Sequence, residues 1–461
     1  MLPILAAIAM IKDDFNPLPP LPSPRQIAWQ GLERYCFVHF GPNTFTGNEW
    51  GSGKEAESVF NPKHLDCKQW VRVFKDAGFA GIVITAKHHD GFCLWPSKFS
   101  THTVAQSPWK NGKGDVLKEL SQACRQEGLK FGVYLSPWDR NHPDYGTPKY
   151  NQVFESMLHE VLTHYGPVFE VWFDGANGEG PNGKKQVYDW PAFIKVVREC
   201  QPNAVIFSDA GPDIRWTGNE AGYAGETNWD MIDKSKFSPG HADQAILNSG
   251  LENGPDWVPA ECDVSIRPGW FWRASEDSKV KTVEQLLDIW YGSVGRGSNL
   301  ILNVPPNSDG LISEGDAQRL REFNNALEKD FAHEVPIASA DELVANGSQL
   351  QPVDSLVDPE GGSIWYAKAN QAVLKFTFSN DSTVDRIVLE EPVEMGQRIA
   401  KFKVFTDDLQ NGRKTIAEGT TVGVRRILRI PAVKARELWI EIDDARATPA
   451  LSRVAFFNSA G

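Results

Sequence analysis

The sequence predicts an α/β protein, a (β/α)8-like barrel of the TIM type with irregular units, followed by a C-terminal β-sandwich. Three observations carry this. Up to about residue 335, short apolar runs alternate with amphipathic helical periods, the pattern of a parallel sheet covered by helices. Polar residues recur directly after those runs, where a barrel places its chemistry. Beyond that point the helical periods stop, and short alternating segments broken by Gly, Asp and Asn take over.

The candidate strands of the first part are 35–40, 81–87, 130–135, 170–174, 204–208 and 299–304. Between and after them, 65–77, 116–126, 151–164, 191–200, 283–294 and 316–329 each place apolar residues three or four apart, as one face of a helix requires. This repeated alternation favours a barrel over an open doubly wound sheet. No GxGxxG follows the first strand and no GxxxxGK[ST] occurs, so a nucleotide site has no support. In the second part, 372–378, 386–389, 402–406, 426–430 and 437–442 alternate as strands of a sandwich. The expected division is an N-terminal segment 1–24, a catalytic barrel 25–335 and a β-sandwich domain 336–461. The last either covers one side of the barrel or binds sugar, although it shows no clear binding cluster.

The chain has 461 residues, 41% hydrophobic and 11% aromatic, which is ample for a large core. Its formal net charge of −13 argues against a nucleic-acid partner, which calls for a concentrated basic face, and points to a neutral substrate. Of the 16 tryptophans, Trp50, Trp95, Trp109, Trp138, Trp270 and Trp272 flank polar residues in expected loops, where a flat ring can stack on a sugar; core packing explains some of them equally well. The six cysteines have no CxxC or zinc-ribbon spacing and read as buried thiols, which leaves the compartment open. The start, MLPILAAIAMIKDD, resembles the core of a secretory signal without the basic segment ahead of it, so a signal remnant and a secreted or periplasmic location are expected. No other stretch approaches the roughly 20 apolar residues of a membrane span.

Asp174 ends the run Phe169-Glu170-Val171-Trp172-Phe173-Asp174-Gly175. A carboxylate at the rim of a β-branched and aromatic strand reads as catalytic, with a loop or helix-capping Asp as the plain alternative. The other strand ends decide between them. The first ends in His39, the second in Ala86-Lys87-His88-His89-Asp90-Gly91-Phe92, the third in Tyr134-Leu135-Ser136, and the fifth in Ser208-Asp209. Hydrogen-bonding side chains thus converge on one face. A metal is disfavoured: barrel metal sites repeat ligands on one strand face, whereas His88 and His89 are adjacent and enter together only if the chain bends at Asp90-Gly91. Trp172 and Asp174, two apart, share a face directly. A second carboxylate must lie opposite Asp174, and the Gly-containing loop 213–223 after the fifth strand carries Glu220. Glu226, Asp209 and Glu261 compete with it, and spacing alone does not choose.

The ordered motifs HFG at 39–41, GNEW at 47–50, AKHHDGF at 86–92, VWFDG at 171–175, GNEAGY at 218–223 and NLILNVPPNSDGLI at 299–312 resemble glycoside hydrolase family 29, the α-L-fucosidases, with GQRI at 396–399 extending the likeness into the β domain. The resemblance implies a retaining mechanism without metal or cofactor, with Asp174 as nucleophile. The GNEAGY loop is similar to that of the subgroup acting on α-1,3/1,4-linked fucose in branched, Lewis-type glycans, which implies Glu220 as acid/base and a fucosylated oligosaccharide or glycoconjugate as partner. It also implies that His39, Glu49, Trp50, His88, His89, Tyr134 and Trp172 contact fucose. Trp270 and Trp272, in Arg267-Pro268-Gly269-Trp270-Phe271-Trp272, are expected to complete the wall. A galactosidase on a similar barrel would share the carboxylate pair but prefer a C6 hydroxyl, and a non-catalytic glycan-binding protein would not need both carboxylates.

Overall fold

The computed structural model describes residues 16–344, 349–357, 363–408 and 412–461. Residues 1–15, which include all of MLPILAAIAMIKDD and most of the N-terminal segment 1–24, lie outside the described residues. Eight parallel strands close a barrel: β1 (Arg34–Val38), β2 (Gly81–Lys87), β3 (Lys130–Leu135), β4 (Glu170–Trp172), β5 (Val205–Ser208), β6 (Ile214–Trp216), β7 (Ala260–Ser265) and β8 (Asn299–Asn303). Each pairs with the next in sequence, and β8 pairs with β1.

Alternation sorts the strand residues. Cys36, Val38, Ile82, Ile84, Val171, Phe173 and Ile206 pack outward against the helices, while Tyr35, Phe37, Val83, Tyr134, Trp172, Phe207 and Ile301 fill the interior. The covering helices Cys67–Asp76, Val116–Glu127, Pro148–His164, Trp190–Cys200, Val283–Ser293 and Glu314–Asp330 match the expected ones within a few residues. Asp66, Asp115, Asp189 and Thr282 start four of them by accepting backbone N–H groups that the first turn leaves unpaired. All six cysteines are free thiols, buried except for the half-buried Cys200. Among the described residues no helix is long and apolar enough to cross a membrane.

Two barrel strands escape the sequence pattern. β7 turns Glu261, Asp263 and Ser265 inward and packs Cys262 and Val264 outward, so its polar residues face the barrel interior, although both faces are buried, and invert the usual signal. β6 is three residues long and has Arg215 at its centre, fully buried and donating to the carbonyls of Leu247 and Trp229 and to Asn228 Oδ1. The segment 213–223, expected to be a loop throughout, therefore begins as a strand, and GNEAGY follows β6 rather than β5. β5 and β6 are joined by the short turn 209–213 without a helix, and the passage to β7 carries the short helix Gln244–Ser249, a 3-10 turn at Lys234–Lys236 and a small antiparallel pair, Met231–Ile232 with Asp256–Trp257. There Trp229, Met231 and Trp257 pack on Val393 of the β domain.

That domain is antiparallel. The runs 372–378 and 386–389 belong to one long strand, Ala372–Glu390, and 426–430 and 437–442 to another, Arg426–Ala445. The two pair with register breaks; the first half of Ala372–Glu390 also pairs with Ile337–Val344 and its second half with Arg453–Phe457. The Phe456 ring crosses to Phe376 and Phe378, 5.3 and 5.1 Å between centroids, so the layers close on one core as a sandwich. Trp365 and Trp439 are both buried and offer a sugar no stacking face.

Candidate active site

A cavity of about 200 Å³ opens at the carboxyl ends of the strands. β1 contributes Phe37 and His39, the end of β2 His88 and His89, β3 Tyr134, and β4 with its extension Trp172, Asp174 and Ala176. Glu220, Asp263 and Trp270 close the opposite side, and Trp50 covers it from the loop after β1. Outward it joins a wider depression of about 580 Å³ lined by Asn177, Lys185, Asp209, Trp216 and His241.

The histidine pair depends on a local break in β2. Register slips between Thr85 and Lys87, which sends Lys87 outward, where its ammonium bonds Asp139 (3.0 Å) and Tyr150 (3.1 Å) in full burial. His88 then faces the cavity. The chain turns at once: Asp90 accepts the Phe92 N–H (2.7 Å) and an Asn43 amide N–H (3.0 Å), and Gly91 has φ +85°, with Asp139 Oδ1 only 2.3 Å from where a Cβ would sit. His89 therefore enters as well, its ring 4.2 Å from that of His88. His89 Nδ1 bonds Ser136 Oγ and His39 Nδ1 bonds Asn303 Oδ1, each at 2.8 Å, whereas the buried His88 Nδ1 has no partner among the described residues. Burial pushes His39 down to about 3, His89 to about 4 and His88 well below the usual range. The three imidazoles are neutral at pH 7, so each has one donor and one acceptor nitrogen.

Asp174 is fixed on both oxygens. Oδ2 accepts the Tyr134 hydroxyl (2.9 Å) and lies 3.6 Å from His89 Nε2, and Oδ1 accepts the Ala176 N–H (2.7 Å). Trp172 stacks on Phe207 at 3.8 Å and donates to Glu261 (2.8 Å). Glu261 also accepts from Tyr35 and lies beneath the cavity floor; burial raises it above the usual carboxylate range, and burial with the charge of Glu261 raises neighbouring Glu170.

The facing wall is a loop. Gly218 has φ +80°, and a Cβ there would lie 2.6 Å from the Gln244 carbonyl, so the turn after β6 requires glycine. Asn219 accepts the Ala221 N–H (3.1 Å) and donates to the Tyr223 carbonyl (2.8 Å), bracketing Glu220. Glu220 Oε2 accepts Trp270 Nε1–H at 3.3 Å. Burial raises its pKa, the charges of Asp174 and Glu49 raise it further, and the Trp270 bond opposes them. Asp263, buried and bonded by Trp216 (2.8 Å), is held well above the carboxylate range by burial and then by Glu220.

The family model for alpha-L-fucosidase matches residues 29–330, which span the barrel. The chain belongs to the α-L-fucosidases, glycoside hydrolase family 29. This fucosidase is 44% identical to alpha-L-fucosidase 1 of Arabidopsis thaliana, over 97% of this chain and 90% of that one. A crystal structure of a putative α-L-fucosidase from Bacteroides ovatus superposes with a TM-score of 0.83 at 44% identity, covering 96% of this chain and 74% of that one. A Ruminococcus gnavus family 29 fucosidase in complex with fucose gives a TM-score of 0.87 at 30% identity, with 97% of each chain covered.

In the fucosidase structure Asp174, Glu220, His39, Trp50, His88, His89, Tyr134, Trp172 and Trp270 meet in one cavity, and both histidines enter because the expected bend is present. Two expected contacts do not line it. Glu49 turns its carboxylate to the Trp270 backbone N–H and to Arg273, so it holds Trp270 from behind. Trp272 packs over Arg267, with 6.0 Å to the ring centroid, while Phe271 sits behind His39 and His88. Of the rivals to Glu220, Glu226 is ion-paired with Arg296 and Arg426, Asp209 accepts the Gly240 N–H (2.6 Å) in the outer depression, and Glu261 lies under the floor. Phe37 and Asp263 line the cavity unforeseen. Phe37 was legible two residues before His39 on the same face, whereas Asp263 was hidden in β7. Among the described residues no group of three or more His, Cys, Asp or Glu side chains is placed to hold a metal ion.

Proposed function

We propose that this fucosidase is a retaining exo-enzyme that removes terminal α-1,3/1,4-linked fucose from branched, Lewis-type glycans. Asp174 is its nucleophile and Glu220 its general acid/base. The observation that carries the reading is that these two carboxyl groups, one fixed on both oxygens and one raised by its surroundings, face a single cavity with room for one sugar ring. Asp174 attacks the anomeric carbon while Glu220 protonates the leaving oxygen. Once Asp174 is an ester its charge is gone and a cause of the raised Glu220 pKa disappears, so Glu220 stays ionised after giving up its proton, the form that can accept a proton from the incoming water. Asp263 also lines the cavity, but it is buried beneath Trp216 and lacks the solvent access that Glu220 has for this exchange.

The neutral imidazoles of His39, His88 and His89, with the Tyr134 hydroxyl, pair with the sugar hydroxyls, and Trp50, Trp172 and Trp270 take the apolar ring face and the C5 methyl. The barrel, 25–335, carries this chemistry, and the β domain, 336–461, supports it. The linkage preference rests on the GNEAGY loop, and the outer depression, lined by Asn177, Lys185, Asp209, Trp216 and His241, is where a branched aglycone would lie.

Hydrolysis of Lewis-type trisaccharides, an α-1,2-linked fucoside and an aryl fucoside, with the first-formed anomer read by NMR, tests the reading. We expect preference for the trisaccharides and initial release of α-fucose. Rapid cleavage of the aryl fucoside without preference for the branched glycans overturns the linkage reading, and initial β-fucose overturns retention.

A further inference from the structure

We propose that the β domain positions Glu220 through Gln397, Thr421 and Arg426, which hold the chain directly after the loop that carries it. This rests on the reading of Glu220 as the acid/base. Arg426 donates to the Glu226 carbonyl and carboxylate, both at 2.8 Å, and Thr420 Oγ1 donates to the same carbonyl at 2.8 Å. Thr421 Oγ1 accepts the Asn228 N–H at 2.8 Å. Gln397 accepts the Asp230 N–H (2.8 Å) through Oε1 and donates to the Asn228 carbonyl (3.0 Å) through Nε2. Backbone groups at 226, 228 and 230 are thus held in turn, as a neighbouring strand would hold them, but by side chains of another domain.

The clamp is itself rigid. The buried Glu391 carboxylate accepts the N–H groups of Arg398 (2.7 Å), Ile399 (2.9 Å) and Gly423 (2.7 Å), tying the Gln397 segment to the Thr421 segment. Gln397, Thr421 and Arg426 are all buried. On the barrel side, Ala224 donates to the Gly292 carbonyl (2.9 Å) and its own carbonyl accepts from Arg296 (2.7 Å). The far end of the Glu220 loop is therefore fixed between barrel and β domain, in the stretch where the barrel has no long helix to do it. A general acid must meet the leaving oxygen within a few tenths of an ångström, so loosening this anchor impairs proton donation and leaves the Asp174 wall intact.

The diagnostic is dependence on the leaving group. A dinitrophenyl fucoside leaves without an acid, whereas a fucosylated galactoside needs one. Thr421→Val, Gln397→Met and Arg426→Lys should each lower kcat/KM on the galactoside by about tenfold while leaving the activated fucoside unchanged, with Glu220→Gln as the reference. Glu226→Ala, at a side chain two-thirds exposed, should act in the same direction more weakly and keeps the test valid if a buried variant does not fold. An equal fall on both substrates, or no change on either in folded variants, overturns the clamp. If Glu220→Gln itself shows no such dependence, the acid/base reading falls instead.

Discussion

Asp174 and Glu220 face the same cavity from walls of different make. Asp174 directly extends β4, with hydrogen bonds on both oxygens and Trp172 stacked on Phe207 two residues before it. Glu220 stands in a glycine-bounded loop with one long bond from Trp270 and is shaped chiefly by burial and neighbouring charge. The difference follows the work proposed for each. A nucleophile needs a fixed line of approach, and a strand end supplies it; an acid that must later act as a base needs contact with water and a pKa that responds to its partner's charge.

The strand-borne wall should be the more sensitive to direct removal. Asp174→Ala is expected to lower kcat by about 10⁴-fold or more with folding retained, and near-normal turnover would dissolve the distinction between the walls. The same wall should fail structurally if its hidden support is removed: Lys87→Met strands the buried Asp139, whose carboxyl burial would raise but Lys87 and two backbone N–H groups hold low. A loss of about 3–5 kcal/mol is expected in urea unfolding, and a loss below about 1 kcal/mol would show that the β2 break does not need this pair. On the loop-borne wall, Glu220→Gln should lower kcat/KM about a hundredfold on glycans and far less on an activated fucoside.

The smallest effect is a shift in pH dependence. The Trp270 bond lowers the Glu220 pKa, so Trp270→Phe should raise it. An acid with a raised pKa stays protonated to higher pH, and the alkaline limb of kcat/KM should move upward. A downward shift, or none, would mean that Trp270 shapes the wall sterically and does not tune Glu220.

The same contrast explains what the sequence made legible. β1 to β5 and β8 could be read because apolar residues face the helices and the polar residue follows the run, so His39, the His88-His89 pair, Tyr134 and Asp174 stood at visible ends. β7 could not, because Glu261, Asp263 and Ser265 face the barrel interior and break up its apolar run. β6 could not, because a fully buried arginine occupies one of its three positions and is satisfied only by distant carbonyls and Asn228. Residue spacing left four acids competing for the second role, and resemblance pointed to Glu220; of those four, only Glu220 lines the cavity with Asp174. Trp270, Phe271 and Trp272 could not be ranked in advance, since which ring faces inward is set by Glu49, remote in sequence, and by Arg267, itself held by the remote Asp316.

The cluster of Trp229, Met231 and Trp257 on Val393 has a bearing on how such a chain can be recombined. Cutting between the last barrel helix and Ile337 would expose two tryptophans and a methionine to water and uncover the backbone groups at 226, 228 and 230. A foreign β domain grafted in its place would have to reproduce both an apolar plug and a spaced set of polar side chains. The barrel and its sandwich are therefore one unit of exchange, and recombination that preserves function must carry them together.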